Sequence, residues 1–303
     1  MQILLLFALS SLLLAQDHKP PVIGEQHYRV YRGDGTVATL EQIMAESRSA
    51  EVTFLGESHD DPVAHYLEEQ ILRGTWNPRL GLSLEMFERD VQYVLDEYLS
   101  GLITENFLIT AGRAWKNYAS DYRALIEFAK EKKMPVLAAN APRRYVNRVT
   151  RLGAASLAEI ETEGRRFLPP LPYTEASAPY AAEFARVMEE HREEGKPPTP
   201  ESIARGLQAQ SLWDAAMAYS VADFLAKYPG RKILHINGSF HTAQRLGIVE
   251  HLQRYRPNTA VLVVTILSDA SFPTFNARSM TSAGDFVIVT DPALSRTFRS
   301  ETR

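Results

Sequence analysis

The chain contains no cysteine. That excludes a disulfide, a cysteine nucleophile, a thiolate zinc or iron–sulfur site, and covalent haem attachment through C-x-x-C-H. Any metal must be held by His, Asp, Glu, Tyr or carbonyl oxygen, and any covalent nucleophile must be Ser, Thr or a carboxylate. A surplus of positive charge is missing as well. Lys+Arg 33 against Asp+Glu 37 leaves −4, with no basic excess to hold a phosphate backbone, so nucleic acid is not an expected partner. H-E-x-x-H, G-x-G-x-x-G and the P-loop are absent, which argues against zincin, dinucleotide and NTPase chemistry. There is no internal repeat and no low-complexity tract. What is present is 303 residues, 45% hydrophobic and 23% charged, the composition of a folded globular protein.

The longest apolar run, Ile3–Ala15, is too short to cross a bilayer as a helix and has the length of a signal-peptide hydrophobic region. Residues 1–15 are read as a signal peptide, 16–28 as an unstructured lead-in with Pro20 and Pro21, and 29–303 as a single domain. An exported protein follows, periplasmic or extracellular. A lipid anchor is not expected, because no cysteine follows the run. His18 and His27, in the lead-in, are set aside as site residues.

Six stretches read as strands: Val52–Leu55, Gly81–Leu84, Pro135–Ala139, Lys232–Ile236, Ala260–Ile266 and Phe286–Val289. Most are continuous apolar runs, the pattern of strands covered on both faces. Helical patterns lie between them at Pro62–Arg73, Arg89–Ser100, Asp121–Lys132 and Thr242–Tyr255. The alternation predicts an α/β fold, a layered, mostly parallel sheet flanked by helices. Residues 143–228 hold no strand pattern and read as a helical insertion between two strands, lying over the sheet edge as a cap.

In open α/β sheets ligands bind beyond the carboxyl ends of strands. Gly56-Glu57-Ser58-His59-Asp60-Asp61 follows the first predicted strand, Glu85 the second, Asn140 the third and Asn237-Gly238-Ser239-Phe240-His241 the fourth. Gly56-x-x-His59 and Gly238-x-x-His241 share a form in which glycine permits a positive φ and close backbone approach, and histidine rises above the rim. Glu57, His59, Glu85 and His241 would make a His/carboxylate set for a divalent metal or for general base catalysis. A serine nucleophile is disfavoured, because Asp60 stands where a G-x-S-x-G elbow needs its second glycine. His65 is read as packing, His235 as a core histidine and His191 as part of a solvated charged face.

The ordered segments Gly56-Glu57-Ser58-His59-Asp60, Leu84-Glu85-Met86-Phe87-Glu88-Arg89, Ala139-Asn140-Ala141-Pro142 and Gly238-Ser239-Phe240-His241 resemble ChaN-like haem-binding uptake proteins. The run Ala209–Ala218 is similar to that family's long-helix signature. The likeness spans about Thr53–Leu252 and extends to Tiki proteins and erythromycin esterases, which share paired Gly-x-x-His segments and a strand-end Glu. It implies an exported haem-binding protein of iron uptake, haem held by a tyrosine at a homodimer interface, and transient contact with an outer-membrane uptake system. Tyr173, Tyr180 and Tyr145 are the tyrosine candidates, with Arg144, Arg143 or Arg148 for the propionates. The alternative it implies is a metal-dependent or Glu/His-dependent hydrolase, with Glu57, His59, Glu85 and His241 activating water.

Overall fold

A computed structural model describes residues 22–190 and 199–297. The expected signal peptide, His18 and His191 lie outside the described residues. Among the described residues no helix is long and apolar enough to cross a membrane.

Eight strands form one sheet: β1 Tyr28–Arg32, β2 Val37–Ala38, β3 Val52–Glu57, β4 Leu80–Glu88, β5 Val136–Asn140, β6 Lys232–Gly238, β7 Val261–Ser268 and β8 Phe286–Thr290. Their order is β2-β1-β8-β7-β3-β6-β4-β5. The six predicted strands are all present and parallel, from β8 to β5. β1 and β2 were not foreseen; they add an antiparallel hairpin beside β8. The lead-in is accordingly shorter than expected: Glu25–His27 forms a 3-10 turn and Tyr28 opens β1, because β8 offers an open edge on which that segment satisfies its backbone.

The continuous apolar runs are explained by burial on both faces. Leu55, Leu82, Leu84, Leu234, Ile236 and Val264 point into one core. Their neighbours Val52, Phe54, Ile233 and Val263 point into another. A period of two along each strand divides them. The first core is closed by helices that include Pro62–Thr75, whose N-terminus is set by Asp61 accepting from Val63 N and by Pro62 in the first turn. The second is closed by the long helix Pro200–Lys227, capped by Thr199. Met217, Ala218, Val221 and Leu225 of that helix pack on Phe54, Leu137 and Val263. The described residues of 143–228 form helices and no strand, but the last helix is a full layer on the sheet face rather than a cap over the edge. The expected helix at Thr242 begins instead at Ile248. Gln244 and Arg245 adopt φ of 58° and 61°, left-handed geometry that no helix can absorb.

Candidate functional site

The carboxyl ends of β3, β6 and β4 lie side by side, so Glu57, Gly238 and Glu85 arrive at one rim. The glycines serve close approach alone. Gly238 has φ −57°, yet a Cβ there would sit 2.9 Å from His59 Nε2. A Cβ on Gly56 would sit 2.9 Å from the Ser239 Cα. The expected positive φ is not used; what each Gly-x-x-His segment needs is room for the other.

The two histidines meet across Glu85. His59 Nδ1 lies 2.9 Å from Glu57 Oε1, which also accepts from the Tyr122 hydroxyl at 2.6 Å. His241 Nδ1 lies 2.6 Å from Asp214 Oδ1. The Nε2 atoms of both rings turn toward Glu85 Oε1, at 3.9 Å from His59 and 3.6 Å from His241. Glu85 Oε2 accepts from Gly238 N at 2.8 Å. Each imidazole is therefore oriented by its own carboxylate and shares a third, an arrangement that fixes tautomer and ring direction.

Burial separates the two rings. The His59 side chain is 40% exposed and stacks edge-on against Trp115; that of His241 is 8% exposed. Burial alone would lower the His241 pKa, but Glu85 and then Asp214 outweigh it and raise it to about 10. Burial would likewise lift the Glu85 carboxyl, yet His241, then His59 and the Gly238 N–H, hold it at about 2. His59 is raised too, burial being overcome by Glu57 and Glu85.

Beneath the rim lies a second layer, which the sequence reading passed over. His65, read as packing, is buried with Nδ1 at 3.1 Å from Glu57 and 3.2 Å from Glu68, and Nε2 at 3.4 Å from Asp121. Against the pull of burial, Glu57, Glu68 and Asp121 raise it to about 10. Burial and the Glu57 charge push the Glu68 carboxyl well up, while His65 and His59 hold Glu57 down against its own burial. His65-x-x-Glu68 on the apolar face of one helix was the signal for this layer. Gln210 and Asp214, four apart on the inward face of the long helix, were the signal for the His241 partners.

A divalent metal was expected among Glu57, His59, Glu85 and His241. Among the described residues the donors that converge on one point are Glu57, His65 and Glu68, all within 4.8 Å of one another. Glu57 Oε2 and Glu68 Oε1 there have no hydrogen-bond partner. His235 is a core histidine as expected, fully buried with Nδ1 at 2.8 Å from Ser83 Oγ and held at about 3 by that burial.

Of the residues expected to hold haem, Tyr145 and Tyr173 pack against the same core cluster and Arg144 lies over the Tyr145 ring. The Tyr173 hydroxyl donates to the Gln208 carbonyl at 2.8 Å. Tyr180 is 1% exposed, and burial followed by Asp214 pushes its phenol far above the usual range. Tyr145 packs partly buried in the insertion core, Arg144 is paired with Asp90 and Arg148 with Glu159, and Arg143 is exposed. A cavity of about 1020 Å³ lies along the β5 edge. Leu99, Met134, Val136, Phe167, Phe224 and Tyr228 give it apolar walls. The edge itself is closed by Gln92, which donates to Val136 O and accepts from Ala138 N.

The sequence model of one family, described as haem-binding uptake, Tiki superfamily, ChaN, matches residues 43–252. No curated protein matches the chain. Among solved structures, one described as cofacial heme binding to ChaN of Campylobacter jejuni is 18% identical with a TM-score of 0.68, covering 89% of this chain and 100% of that one. A Bacillus cereus protein is 11% identical with a TM-score of 0.48, covering 88% and 95%. An erythromycin esterase mutant is 14% identical with a TM-score of 0.46, covering 88% and 83%. The Campylobacter structure agrees in fold with the α/β sheet described above.

Proposed function

The chain belongs to the haem-binding uptake family of the Tiki superfamily, the ChaN type, and we propose that it binds haem for iron uptake after export. The observation that carries the reading is the family match over residues 43–252. The β5-edge cavity supports it, since about 1020 Å³ is at the upper end of the range for small-molecule and cofactor sites. Tyr228, at the end of the long helix and 46% exposed, lines that cavity and offers a phenol oxygen to ferric iron, which tyrosinate suits. Two haems stacked face to face, as described for the Campylobacter protein, would require the cavities of two copies to meet, so a haem-dependent homodimer is part of the proposal. Contact with an outer-membrane uptake system would then pass the cargo on.

Titration of the purified protein with haemin tests this. The expected result is a Soret shift that saturates at a stoichiometric ratio and changes shape in Tyr228→Phe, but not in Tyr173→Phe or Tyr180→Phe. A spectrum at micromolar protein indistinguishable from free haemin overturns the reading.

A second reading rests on the convergence of both Nε2 atoms on Glu85. With Glu57 accepting from Nδ1, a neutral His59 leaves Nε2 unprotonated beside Glu85 as a base for water, and charged His241 stands ready for developing negative charge. Because His59 is raised, hydrolysis at this site rises with pH above neutrality. His59→Ala and His241→Ala should both abolish it; ester hydrolysis unchanged in either removes this reading.

A further inference from the structure

Arg89 occupies an unusual position for a guanidinium. It follows the last residue of β4, opening a short 3-10 turn, and lines the β5-edge cavity. Its Nη1 donates to Ser220 Oγ at 2.6 Å, and its charge lies 5.1 Å from the centre of the Tyr219 ring. Its Nε is sealed from solvent with no acceptor. Asp223 attracts it only through space, and burial still pulls its pKa below the ordinary value. Arg89 as a whole is partly buried, and taking part of a charge out of water without a paired anion is costly, since such groups are normally ion-paired or neutralised.

One end of Arg89 is left for a ligand. Nε has no exposed surface for a ligand atom to touch and Nη1 is taken by Ser220, which leaves Nη2 as the nitrogen that a carboxylate oxygen can approach. Ser220 Oγ itself donates toward the Ala139 or Ala216 carbonyl, so toward Arg89 it acts as acceptor and holds the group in place. The other cations along the cavity are Lys130, Lys133, Arg166, Lys227 and Arg231, against the acids Asp96 and Asp223. Six positive side chains and two negative ones around apolar walls describe a seat for an amphiphilic anion.

We propose that the β5-edge cavity binds a flat apolar ligand through its carboxylates, with the Nη2 end of Arg89 receiving one of them and the other cations along the cavity the other. The inference rests on the haem reading, for which it names the residue that recognises the propionate. It replaces the arginines of residues 143–148, two of which are engaged in ion pairs.

Iron-free protoporphyrin and its dimethyl ester, titrated into wild-type protein, read the carboxylate contribution without a mutation. The diacid should bind roughly tenfold or more tighter than the diester, the worth of a hydrogen-bonded charge pair. Arg89→Gln should erase that preference and Arg89→Lys should keep only part of it, since a lysine ammonium is a point charge that cannot hold Ser220 and meet a carboxylate in the same geometry. Lys133→Gln should weaken the diacid only slightly and reduce its salt dependence. Equal affinity for diacid and diester, or an Arg89→Lys variant that binds like wild type, overturns the assignment while leaving haem binding intact. Haemin that fails to bind while the diacid preference persists removes the haem reading and leaves the cavity as a site for another dicarboxylate.

Discussion

At the rim, His59, His65 and His241 each have a carboxylate oxygen within 3.1 Å, whereas Arg89 in the β5-edge cavity has a buried nitrogen with no acceptor at all. Both regions place charge out of water, but they settle it differently. The rim pairs each of its imidazoles within the protein: three rings interleave with Glu57, Glu68, Glu85, Asp121 and Asp214. The cavity keeps one charge unsettled, next to a volume large enough for a ligand. A region that compensates its own charges is held in one arrangement. A region that does not is poised to accept a counter-charge from outside.

The comparison breaks most visibly at His65. Replacing it with Ala leaves Glu57 and Glu68 buried, 2% and 0% exposed, without the cation that both face. Removing one member of a buried ionic group costs about 3–5 kcal/mol. The urea midpoint of His65→Ala should therefore fall by a large fraction of the total stability. A midpoint close to wild type would mean that Glu57 and Glu68 are neutral or hydrated, and that the rim is not internally compensated.

The share of this arrangement that could be read from the sequence follows from which signals are local. The six parallel strands announced themselves because both faces of each are buried, giving unbroken apolar runs such as Val52–Leu55. β1 escaped because Tyr28–Arg32 reads YRVYR, with only Val30 buried, so its pairing with β8 is a tertiary fact without a hydrophobic signature. Glu57, His59, Glu85 and His241 were legible because each comes shortly after an apolar run that reads as a strand, and parallel topology brings the carboxyl ends of β3, β4 and β6 to one rim. Their partners on helices were hidden. Asp214 sits among alanines on a helix whose inward face shows only after the helix has been laid on the sheet. Arg89 was visible in the sequence, but its missing partner is a property of the folded neighbourhood.

A second, smaller effect separates the two halves of the rim by pH. The unfolded His241 titrates near 6.5, and the folded one near 10. Its contribution is thus complete below about pH 6.5 and lost as pH rises through about 10, since the native state holds a proton that the unfolded chain has released. His65 behaves in the same sense. Asp214→Asn withdraws one of the two carboxylates that raise His241, leaving Glu85. The variant should be less stable than wild type by about 1–3 kcal/mol near pH 6.5, the worth of a charged hydrogen bond, and the gap should narrow toward pH 9.5. A gap that stays constant across this range would show that Asp214 acts through packing rather than through the charge of His241.

The smallest expected effect tests the cavity side, and its sign is the point. Arg89→Met keeps the length and most of the apolar contact of the side chain, but removes the buried charge. Ser220 loses one donor and keeps its carbonyl partners at 2.9 and 2.8 Å, so no polar group is stranded. Replacing a poorly compensated buried charge with an apolar side chain of similar volume is neutral or stabilising, and a change within about 1 kcal/mol of zero, on the stabilising side, is expected in urea titration. The same substitution should remove the diacid preference of the cavity. Stability retained while ligand recognition is lost would mark Arg89 as a residue kept for binding at the expense of the fold. A loss of stability comparable to that of His65→Ala would show instead that Arg89 is compensated within the protein, and that the two regions settle their charges by the same rule.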